Sequence, residues 1–441
     1  MFLQQRFNYF SPPQFQGTGA TLLGTTQKYQ IDRTWPIEEI VLHVAFNVTT
    51  ALTLFPLTAQ SPDQYDNILQ LIQHINLSVN DGKQPRSVVD CSGVAMLEYC
   101  QQCGLNLDQA TLTLAALSGV SQVYTVAGGT TTLAPVPLPV GFYTLTYRIP
   151  MCHPWIGEPV RSRMYLPVHT FPQDPVLSLT FQSLANICSP GVIGAIFVDV
   201  ELIRRVPTAS SESLLRANPG TNPNGYIDWD LIETPFGIGI GISSEQRFPL
   251  PIPGAYMDLL MRQYLGGTNV SRSPIDAGGT GVTTAAGVTG GFGTEQRWRL
   301  ETGLVVVREW RWKHLRTLND FSRPCWPTLV IGSTVAGPLA FLTVAASNGN
   351  IGGISPFAVN GGSFMTNFRN PSSVILNFLS DGLSGDTGVE FGSLLDCNTP
   401  ANNGLKMELI GTPYSVTNNG HTLAVMGRRL FGDLSRWQKF S

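Results

Sequence analysis

The sequence predicts an all-β protein built from two tandem β-sandwich or barrel units. A chain of 441 residues suits two domains of about 200 residues each, and each can bury its own core. Short apolar runs of strand length are separated by many of the 45 glycines and 31 prolines. One segment of the first half is also echoed in the second half. These observations favour an antiparallel β architecture over alternating strands and helices.

The echo joins residues 31–46 to residues 245–260. Each segment contains an arginine, an aromatic residue and proline, followed by an apolar run. The two arginines, Arg33 and Arg247, are 214 positions apart, which is close to half the chain. Self-similarity at such a distance is typical of a tandem duplication.

Composition at the junctions predicts five segments. The stretch between the halves is rich in Pro, Ser, Asn and Gly, as expected of a linker. Both chain ends are aromatic, and the last one is also basic, so we expect at least one end to dock on a neighbouring subunit or on a lipid headgroup surface. The predicted segments are an N-terminal arm (1–27), a first unit (28–206), a linker (207–229), a second unit (230–427) and a C-terminal tail (428–441).

The first half opens its strand series with an alternating run, Leu69 to Val79, that places leucine, isoleucine and valine on one face. Asn80-Asp-Gly82 is typical of the tight turn that ends such a strand. Pro and Gly clusters separate the further predicted strands, which are 111–116, 142–149, 163–169, 176–184 and 195–204.

One helix is predicted among these strands. Asp90 or Ser92 can cap its first turn, because their side chains accept hydrogen bonds from free backbone N–H groups. Gly104 can supply the left-handed residue that often ends a helix.

The second half repeats this style. Residues 298–314 predict one long strand or a strand pair, and the glycine-rich residues 266–293 predict an exposed loop because they offer no side chains for a core. The later predicted strands are 327–331, 339–346, 372–379, 405–410 and 421–429.

Charge is sparse and nearly balanced. Charged residues make up 13% of the chain and its net charge is −3, whereas about 25% is usual. We therefore expect a surface of uncharged loops or one covered by other subunits, and not a strongly basic nucleic-acid coat. Residues 326–347 are uncharged, but glycines and a proline interrupt them, so two buried strands and a turn are predicted there instead of a membrane span. The N-terminus lacks an apolar core of signal-peptide length, which predicts synthesis in the cytoplasm.

The sequence offers little catalytic chemistry. A bicupin metal site needs clustered imidazoles, typically His-x-His, and none of the six histidines is so spaced. Cys100-Gln-Gln-Cys103 lies at the end of the predicted helix, where the helix dipole disfavours a reactive thiolate. Cys152-His153 could complete a zinc site with it only if folding brought the two pairs together. No nucleophile elbow or phosphate-binding loop occurs. We therefore predict no catalytic, cofactor or metal residues.

Cations and indoles alternate in residues 297–316, as on some nucleic-acid surfaces. As a strand, however, the segment has one aromatic face and one ion-paired face, and that interpretation is simpler.

The chain resembles the double-jelly-roll major capsid proteins of tailless, often membrane-containing icosahedral bacteriophages. The resemblance rests on the two β-rich halves, on the opening Arg33-Thr-Trp-Pro-Ile-Glu-Glu-Ile40, and on Leu69–Gly82 leading into the helix after Asp90. It implies two tandem eight-stranded jelly-roll barrels with short helices in their loops.

The resemblance also implies a function and partners. Three copies would form a pseudo-hexameric capsomer of a virion shell, without catalysis. The implied partners are neighbouring capsomers, penton and minor capsid proteins, and an internal lipid membrane reached through the tails, but no sequence-specific nucleic acid. A β-rich spike or receptor-binding protein of a virion is the first alternative, and a bicupin-type metalloenzyme is the second.

Overall fold

The first half of the chain folds into an eight-stranded sandwich of two sheets. A computed structural model describes residues 3–53, 67–80, 82, 85–103, 123–126, 129–132, 138–154, 156, 160–207, 226–238, 245–250, 254–264, 297–302, 305–311, 329–331, 357–359, 363–366, 373–378, 395–396, 406–410 and 421–431. The eight strands are β1 (Leu3–Phe10), β2 (Thr26–Gln30), β3 (Ile37–Thr50), β4 (Ile72–Asn80), β5 (Pro85–Ser92), β6 (Gly141–Pro150), β7 (Val176–Phe181) and β8 (Val192–Pro207). They pair antiparallel in the orders β1-β8-β3-β6 and β2-β7-β4-β5.

The second half contains a second set of eight strands. They are β9 (Asp228–Ile238), β10 (Glu245–Pro249), β11 (Asp258–Tyr264), β12 (Arg297–Thr302), β13 (Val305–Arg311), β14 (Ser373–Asn377), β15 (Lys406–Ile410) and β16 (His421–Phe431). They pair antiparallel in the orders β9-β16-β11-β14 and β10-β15-β12-β13.

The two halves have the same topology. In each half the first, eighth, third and sixth strands form one sheet, and the second, seventh, fourth and fifth form the other. This is the jelly-roll arrangement, in which two four-stranded sheets enclose one core. The prediction of two tandem eight-stranded jelly rolls is therefore confirmed, and the halves are hereafter the first and second barrels.

The barrels also share a local irregularity. In the first barrel the register between β4 and β5 shifts after Leu77, which leaves an extra residue on β5. In the second barrel the register between β12 and β13 shifts after Leu300, with an extra residue on β13. Both bulges lie between the fourth and fifth strands, and Leu77 and Leu300 are both fully buried. A bulge at the same place re-aims the same strand in both copies.

The prediction that residues 1–27 form an N-terminal arm is wrong. Residues 3–10 form β1, which pairs with β8 from Leu3↔Pro207 to Phe10↔Val200. Gln16–Thr18 continues along the same edge of β8, and β2 follows. The physical reason is alternation: Phe7 and Tyr9 face outward, while Phe10 packs against the core. The aromatic residues therefore belong to a strand and not to a free arm.

The predicted C-terminal boundary is also wrong. Residues 428–431 lie in β16, and Arg428 is fully buried. Likewise, the predicted linker 207–229 ends too late, because β9 begins at Asp228. Pro207 lies in β8, and Tyr226 and Ile227 are buried. Residues 208–225 of that linker, and residues 432–441 of the predicted tail, lie outside the described residues.

Local features of the chain confirm some predicted elements and contradict others. The Asn80–Gly82 turn is confirmed: Gly82 has a φ of +91°, and its N–H donates to Asn80 Oδ1. The strand pair within 298–314 is confirmed as β12 and β13. The strand predicted at 163–169 is wrong, because this segment contains the end of a helix and a 3-10 turn. The glycine-rich loop 266–293 and the strands predicted at 111–116 and 339–346 lie outside the described residues.

The helices are few and short. None in the described part of the chain has the length and apolar character needed to span a bilayer. Of the segment 326–347, the structure describes only the strand Leu329–Ile331. The helices are α1 (Gly19–Leu22), α2 (Gly93–Gln102), α3 (Val160–Arg163) and α4 (Leu184–Ile187), with 3-10 turns at Pro13–Phe15, Asn67–Gln70 and Val168–Thr170. The remaining short strands are Val123–Val126, Gly129–Thr132, Ala255–Tyr256, Phe357–Val359, Ser363–Thr366 and Leu395–Asp396.

One apolar cluster joins the two barrels. It fills the first barrel with inward residues such as Leu42, Phe46 and Leu202, and it continues through Trp229 to Met426 in the second barrel. Each such fully buried aliphatic or aromatic side chain contributes about 1.5–3 kcal/mol relative to exposure. The barrels are therefore held side by side by a shared core as well as by the chain between them.

Candidate assembly surfaces and the seam between the barrels

A single extended sheet crosses the boundary between the barrels. The edge strand β5 of the first barrel pairs in parallel with the edge strand β9 of the second, at Val89↔Leu231 and Asp90↔Ile232. The sheet therefore runs β14-β11-β16-β9-β5-β4-β7-β2 through both barrels. We call this boundary, with the side chains packed against it, the seam.

Helix α2 lies in the seam. Ser92 begins it by accepting a hydrogen bond from Ala95 N–H at 3.2 Å, so of the two predicted caps Ser92 is confirmed. Gly93 permits close packing on β4, since a Cβ there would lie 2.1 Å from the carbonyl oxygen of Ile72. The helix is buried from Val94 to Cys100. A helix buried on all sides needs partners for every polar group it carries.

Glu98 of α2 meets such a partner from the second barrel. Arg262 on β11 is fully buried; its Nε donates to Glu98 Oε2 at 2.6 Å and its Nη1 to Glu233 Oε1 at 2.8 Å. Ser92 Oγ accepts a further hydrogen bond from Arg262 at 3.0 Å. Glu233 also accepts from the backbone N–H of Ser92 at 2.7 Å. One guanidinium thus binds one carboxylate from each barrel, and this pairing offsets part of the cost of burying the charges.

A second polar cluster surrounds Asp258, which is fully buried at the start of β11. Tyr99 donates to Asp258 Oδ2 at 2.8 Å, His153 Nε2 lies 3.0 Å from the same oxygen, and the Arg428 backbone N–H donates to Oδ1 at 2.9 Å. Burial acts to raise the pKa of Asp258, but the hydrogen bond and charge of His153 and the contacts of Arg428 outweigh it and lower that pKa. Burial also raises the pKa of Tyr99 well above its ordinary value.

Arg428 ties the last strand of the second barrel to the first barrel. Its two terminal nitrogens donate to the carbonyl oxygens of Met151 and Pro150 at 2.8 and 2.7 Å. Its guanidinium lies 4.4 Å from the ring centre of Trp229, and Trp229 Nε1 donates to the carbonyl of Met164 at 2.8 Å. A desolvated cation over an indole is a favourable cation–π contact. The seam therefore contains buried polar contacts between side chains of one barrel and the backbone of the other.

Arg428 has a counterpart in the first barrel that sequence reasoning missed. The last strand of each barrel carries an Arg-Arg pair, Arg204-Arg205 and Arg428-Arg429, and the two pairs are 224 positions apart. The first arginine of each pair is fully buried. The second pairs with a buried carboxylate, Arg205 with Glu38 at 2.7 Å and Arg429 with Asp230 at 2.6 Å. This repeated dipeptide was the signal that could have located the duplication.

The predicted echo, by contrast, has the wrong register. Arg33 precedes β3 in the loop after β2 and pairs with Asp174. Arg247 instead lies within strand β10. The strand topology is repeated in the two halves, but these two arginines do not occupy equivalent places.

The described cysteines and histidines form no metal site. Within the described residues, no three His, Cys, Asp or Glu side chains are placed to hold a metal ion. Burial raises the pKa of the Cys100 thiol, and it raises that of Cys152 to about 11, so both thiols stay protonated at neutral pH. His153 is engaged by Asp258 in the seam.

The outward face of the sheet β1-β8-β3-β6 is the most apolar exposed surface described. It carries Phe7 and Tyr9 on β1, Phe197 on β8 and Phe142 on β6, with exposed fractions of 58%, 61%, 44% and 78%. Tyr9 donates a short hydrogen bond to Asp199 on the neighbouring strand, which raises the pKa of Tyr9 to about 12. Exposed aromatic residues grouped on one face are typical of interaction surfaces.

Comparison with known proteins identifies the fold. No protein-family profile and no curated protein matches the sequence. Among solved structures, the STIV MCP matches with a TM-score of 0.52 and 14% identity over 98% of each chain. A chain from the atomic structure of Sulfolobus turreted icosahedral virus matches at 0.52 and 12%, covering 99% of this chain and 94% of that one. The faustovirus major capsid protein matches at 0.50 and 10%, covering 98% and 90%.

These likenesses run along nearly the whole of each chain. They confirm, at the level of fold, the resemblance to double-jelly-roll major capsid proteins. The chain is a double-jelly-roll protein, and what it does with that fold is a separate question.

Proposed function

We propose that this chain is a major capsid protein, three copies of which form a pseudo-hexameric capsomer of an icosahedral shell. The observation that carries the proposal is the identical strand order of the two barrels, joined edge to edge in one extended sheet. A shell tiled mainly by six-neighbour units needs nearly hexagonal bricks. Two equivalent barrels per chain, repeated by a threefold axis, supply six similar wedges.

The surface chemistry supports this role. Sparse charge and a net charge of −3 give little repulsion between copies. The apolar outward face of β1-β8-β3-β6 offers area for the large interfaces of a permanent assembly. We expect the protein in the virion, with synthesis in the host cytoplasm, and with penton and minor capsid proteins as further neighbours. Contact with an internal membrane is assigned only to residues 432–441, because residues 3–27 form part of the first barrel.

The proposed role is structural and not catalytic. The buried ionisable groups of the seam connect the two barrels. Arg262 of β11 binds Glu98 of α2, and Asp258 of β11 accepts a hydrogen bond from Tyr99 of α2. The bicupin alternative requires a bound metal. Elemental analysis of the purified protein separates the two classes: metal well below one ion per chain supports a shell protein, and stoichiometric zinc, iron or manganese supports the enzyme.

The proposal is tested by the mass of the purified protein in solution. Light scattering should give three times the chain mass of 47.9 kDa. A stable monomer at micromolar concentration would overturn the proposal. A trimer that never forms closed shells when virion partners are co-expressed would instead favour the spike alternative.

A further inference from the structure

Each barrel uses one of its strand edges in the seam and leaves a different edge open. The seam joins the fifth strand of the first barrel, β5, to the first strand of the second barrel, β9. The first strand of the first barrel, β1, ends its sheet, and so does the fifth strand of the second barrel, β13. Neither strand has a partner on its outer side among the strands that the structure describes. The seam joins a fifth-strand edge to a first-strand edge, and the chain thus carries one further edge of each of these two kinds.

The register of the last strands shows which residues of β1 and β9 are equivalent. Arg6 lies opposite Arg204 on β8, and Leu231 lies opposite Arg428 on β16. Since Arg204 and Arg428 open the two Arg-Arg pairs, Arg6 corresponds to Leu231. The next residue along β1, Phe7, therefore corresponds to Ile232 on β9.

The shared bulge fixes the equivalence of β5 and β13. Val89 pairs with Leu77 immediately before the register shift in the first barrel, and Arg308 pairs with Leu300 immediately before the shift in the second. Position 89 therefore corresponds to position 308, and Asp90 corresponds to Glu309. Asp90 pairs with Ile232 in the seam. The equivalent pair on the open edges is Glu309 with Phe7.

We propose that β13 of one copy pairs in parallel with β1 of the next copy, with Glu309 opposite Phe7, so that the seam within the chain is repeated between chains. This inference rests on the proposed capsomer and specifies its contacts. The seam is heterologous, since it joins two different edges. Repeating it adds the first barrel of a new chain after each second barrel. Three chains then close a ring of six barrels in which the first-strand and fifth-strand edges of every barrel are paired.

The exposed chemistry of the two edges suits this pairing. Strand β1 has eight residues, and its side away from β8 is an open edge that carries exposed Phe7 and Tyr9. Such an edge is a template for strand addition, and natural monomers usually protect it. In this register Arg308 lies opposite Arg6, while Glu309 lies one position away and binds Arg299 at 3.5 Å, so the pairing rests on the matched edges and the exposed aromatic residues and not on charge. The occupant that best fits β1 is therefore another copy of this chain.

Engineered disulfides test the pairing in the full-length protein. The variant Phe7→Cys/Glu309→Cys places one cysteine on each open edge, at positions that are exposed in the single chain. On mild oxidation, most chains should run as a covalent trimer in denaturing gels without reductant, because each chain gives one cysteine to each neighbour. The matched control is Phe142→Cys/Glu309→Cys. Phe142 is more exposed than Phe7 but lies on β6, at the opposite edge of the same sheet.

The two variants should differ on the order of tenfold in cross-linked yield, because a disulfide needs Cβ atoms about 4 Å apart. The five native cysteines that the structure describes are buried and should give little background. Native trimers that cross-link no better than the control would overturn the strand pairing and leave the capsomer standing. Native monomers would overturn both.

Hydrogen exchange on the unmodified protein gives a second readout that needs no substitution. Alternate amides of β1 face away from β8, because antiparallel pairing uses only every second residue on each side. In the trimer these outer amides should be protected, and they should exchange rapidly after dissociation to monomers. Rapid exchange of the outer β1 amides in intact trimers would overturn the pairing.

Discussion

Arg204 and Arg428 occupy the same place in the two barrels but bind different partners. Both are fully buried on the last strand. Arg204 binds its own barrel, through the carbonyls of Asp32 and Trp35 and the half-exposed carboxylate of Asp32. Arg428 reaches across the seam to the carbonyls of Pro150 and Met151. Duplication supplied the same cation twice, and in the second barrel it fastens one barrel to the other.

The largest expected effect comes from removing these two cations. Arg428→Met should lower the free energy of unfolding by about 3–5 kcal/mol, because the buried carbonyls of Pro150 and Met151 lose their donors and Asp258 loses a neighbouring positive charge in a site closed to water. Arg204→Met should cost less, about 1–3 kcal/mol, because water can reach Asp32. Urea unfolding of both variants measures the difference. An equal or larger loss for Arg204→Met would contradict the claim that Arg428 stabilises the seam whereas Arg204 stabilises only its own barrel.

Arg262 sharpens the comparison within the seam. Arg262→Met should cost about 3–5 kcal/mol, since Glu98 and Glu233 would lose the cation that both carboxylates bind in the seam. Adding Glu98→Gln and Glu233→Gln to Arg262→Met should recover part of that loss, because the uncompensated charges are removed. Urea midpoints for the single and triple variants measure the recovery. A triple variant no more stable than the single one would show that the ion pairs are not the reason for the loss.

His74 and Asp90 give a smaller, pH-dependent effect beside the seam. Their hydrogen bond raises the pKa of His74 above 6.5 and lowers that of Asp90 below 3.8. The pair therefore stabilises the fold between those two pKa values. Its contribution is lost as pH rises through the folded pKa of His74, or falls through that of Asp90. Because both side chains are partly exposed, the contribution should stay below about 1 kcal/mol.

The measurement is the difference in urea midpoint between the parent protein and His74→Gln, followed from acidic to alkaline pH. The difference should be greatest in mildly acidic solution and vanish at alkaline pH. A difference that grows as pH rises would contradict this sign.

Tyr9 on the open face gives the smallest effect. Its hydroxyl donates to Asp199, which raises its pKa from 10.0 to about 12. Asp199→Asn should return the pKa of Tyr9 toward 10.0 with little change in stability. The tyrosinate absorbance lost on adding Tyr9→Phe to each background isolates this one residue. An unchanged pKa in Asp199→Asn would show that the hydrogen bond does not form in solution.

Sequence reasoning reached the architecture but not its boundaries. The alternation of apolar residues and the Asn80–Gly82 turn were predicted correctly, because both signals depend only on residues close together in the chain. Strand β1 was mistaken for a free arm because its aromatic residues alternate across an edge strand, where both faces tolerate them. The seam could not be predicted, because contacts such as Glu98 with Arg262 join residues 164 positions apart.

The central claim is that two equivalent barrels per chain build a six-barrel ring from three chains. Electron microscopy of the purified protein tests it most directly. We predict particles of near-hexagonal outline whose averaged images show six lobes with threefold symmetry. Particles of a single two-lobed chain, or rings with any number of lobes other than six, would contradict it.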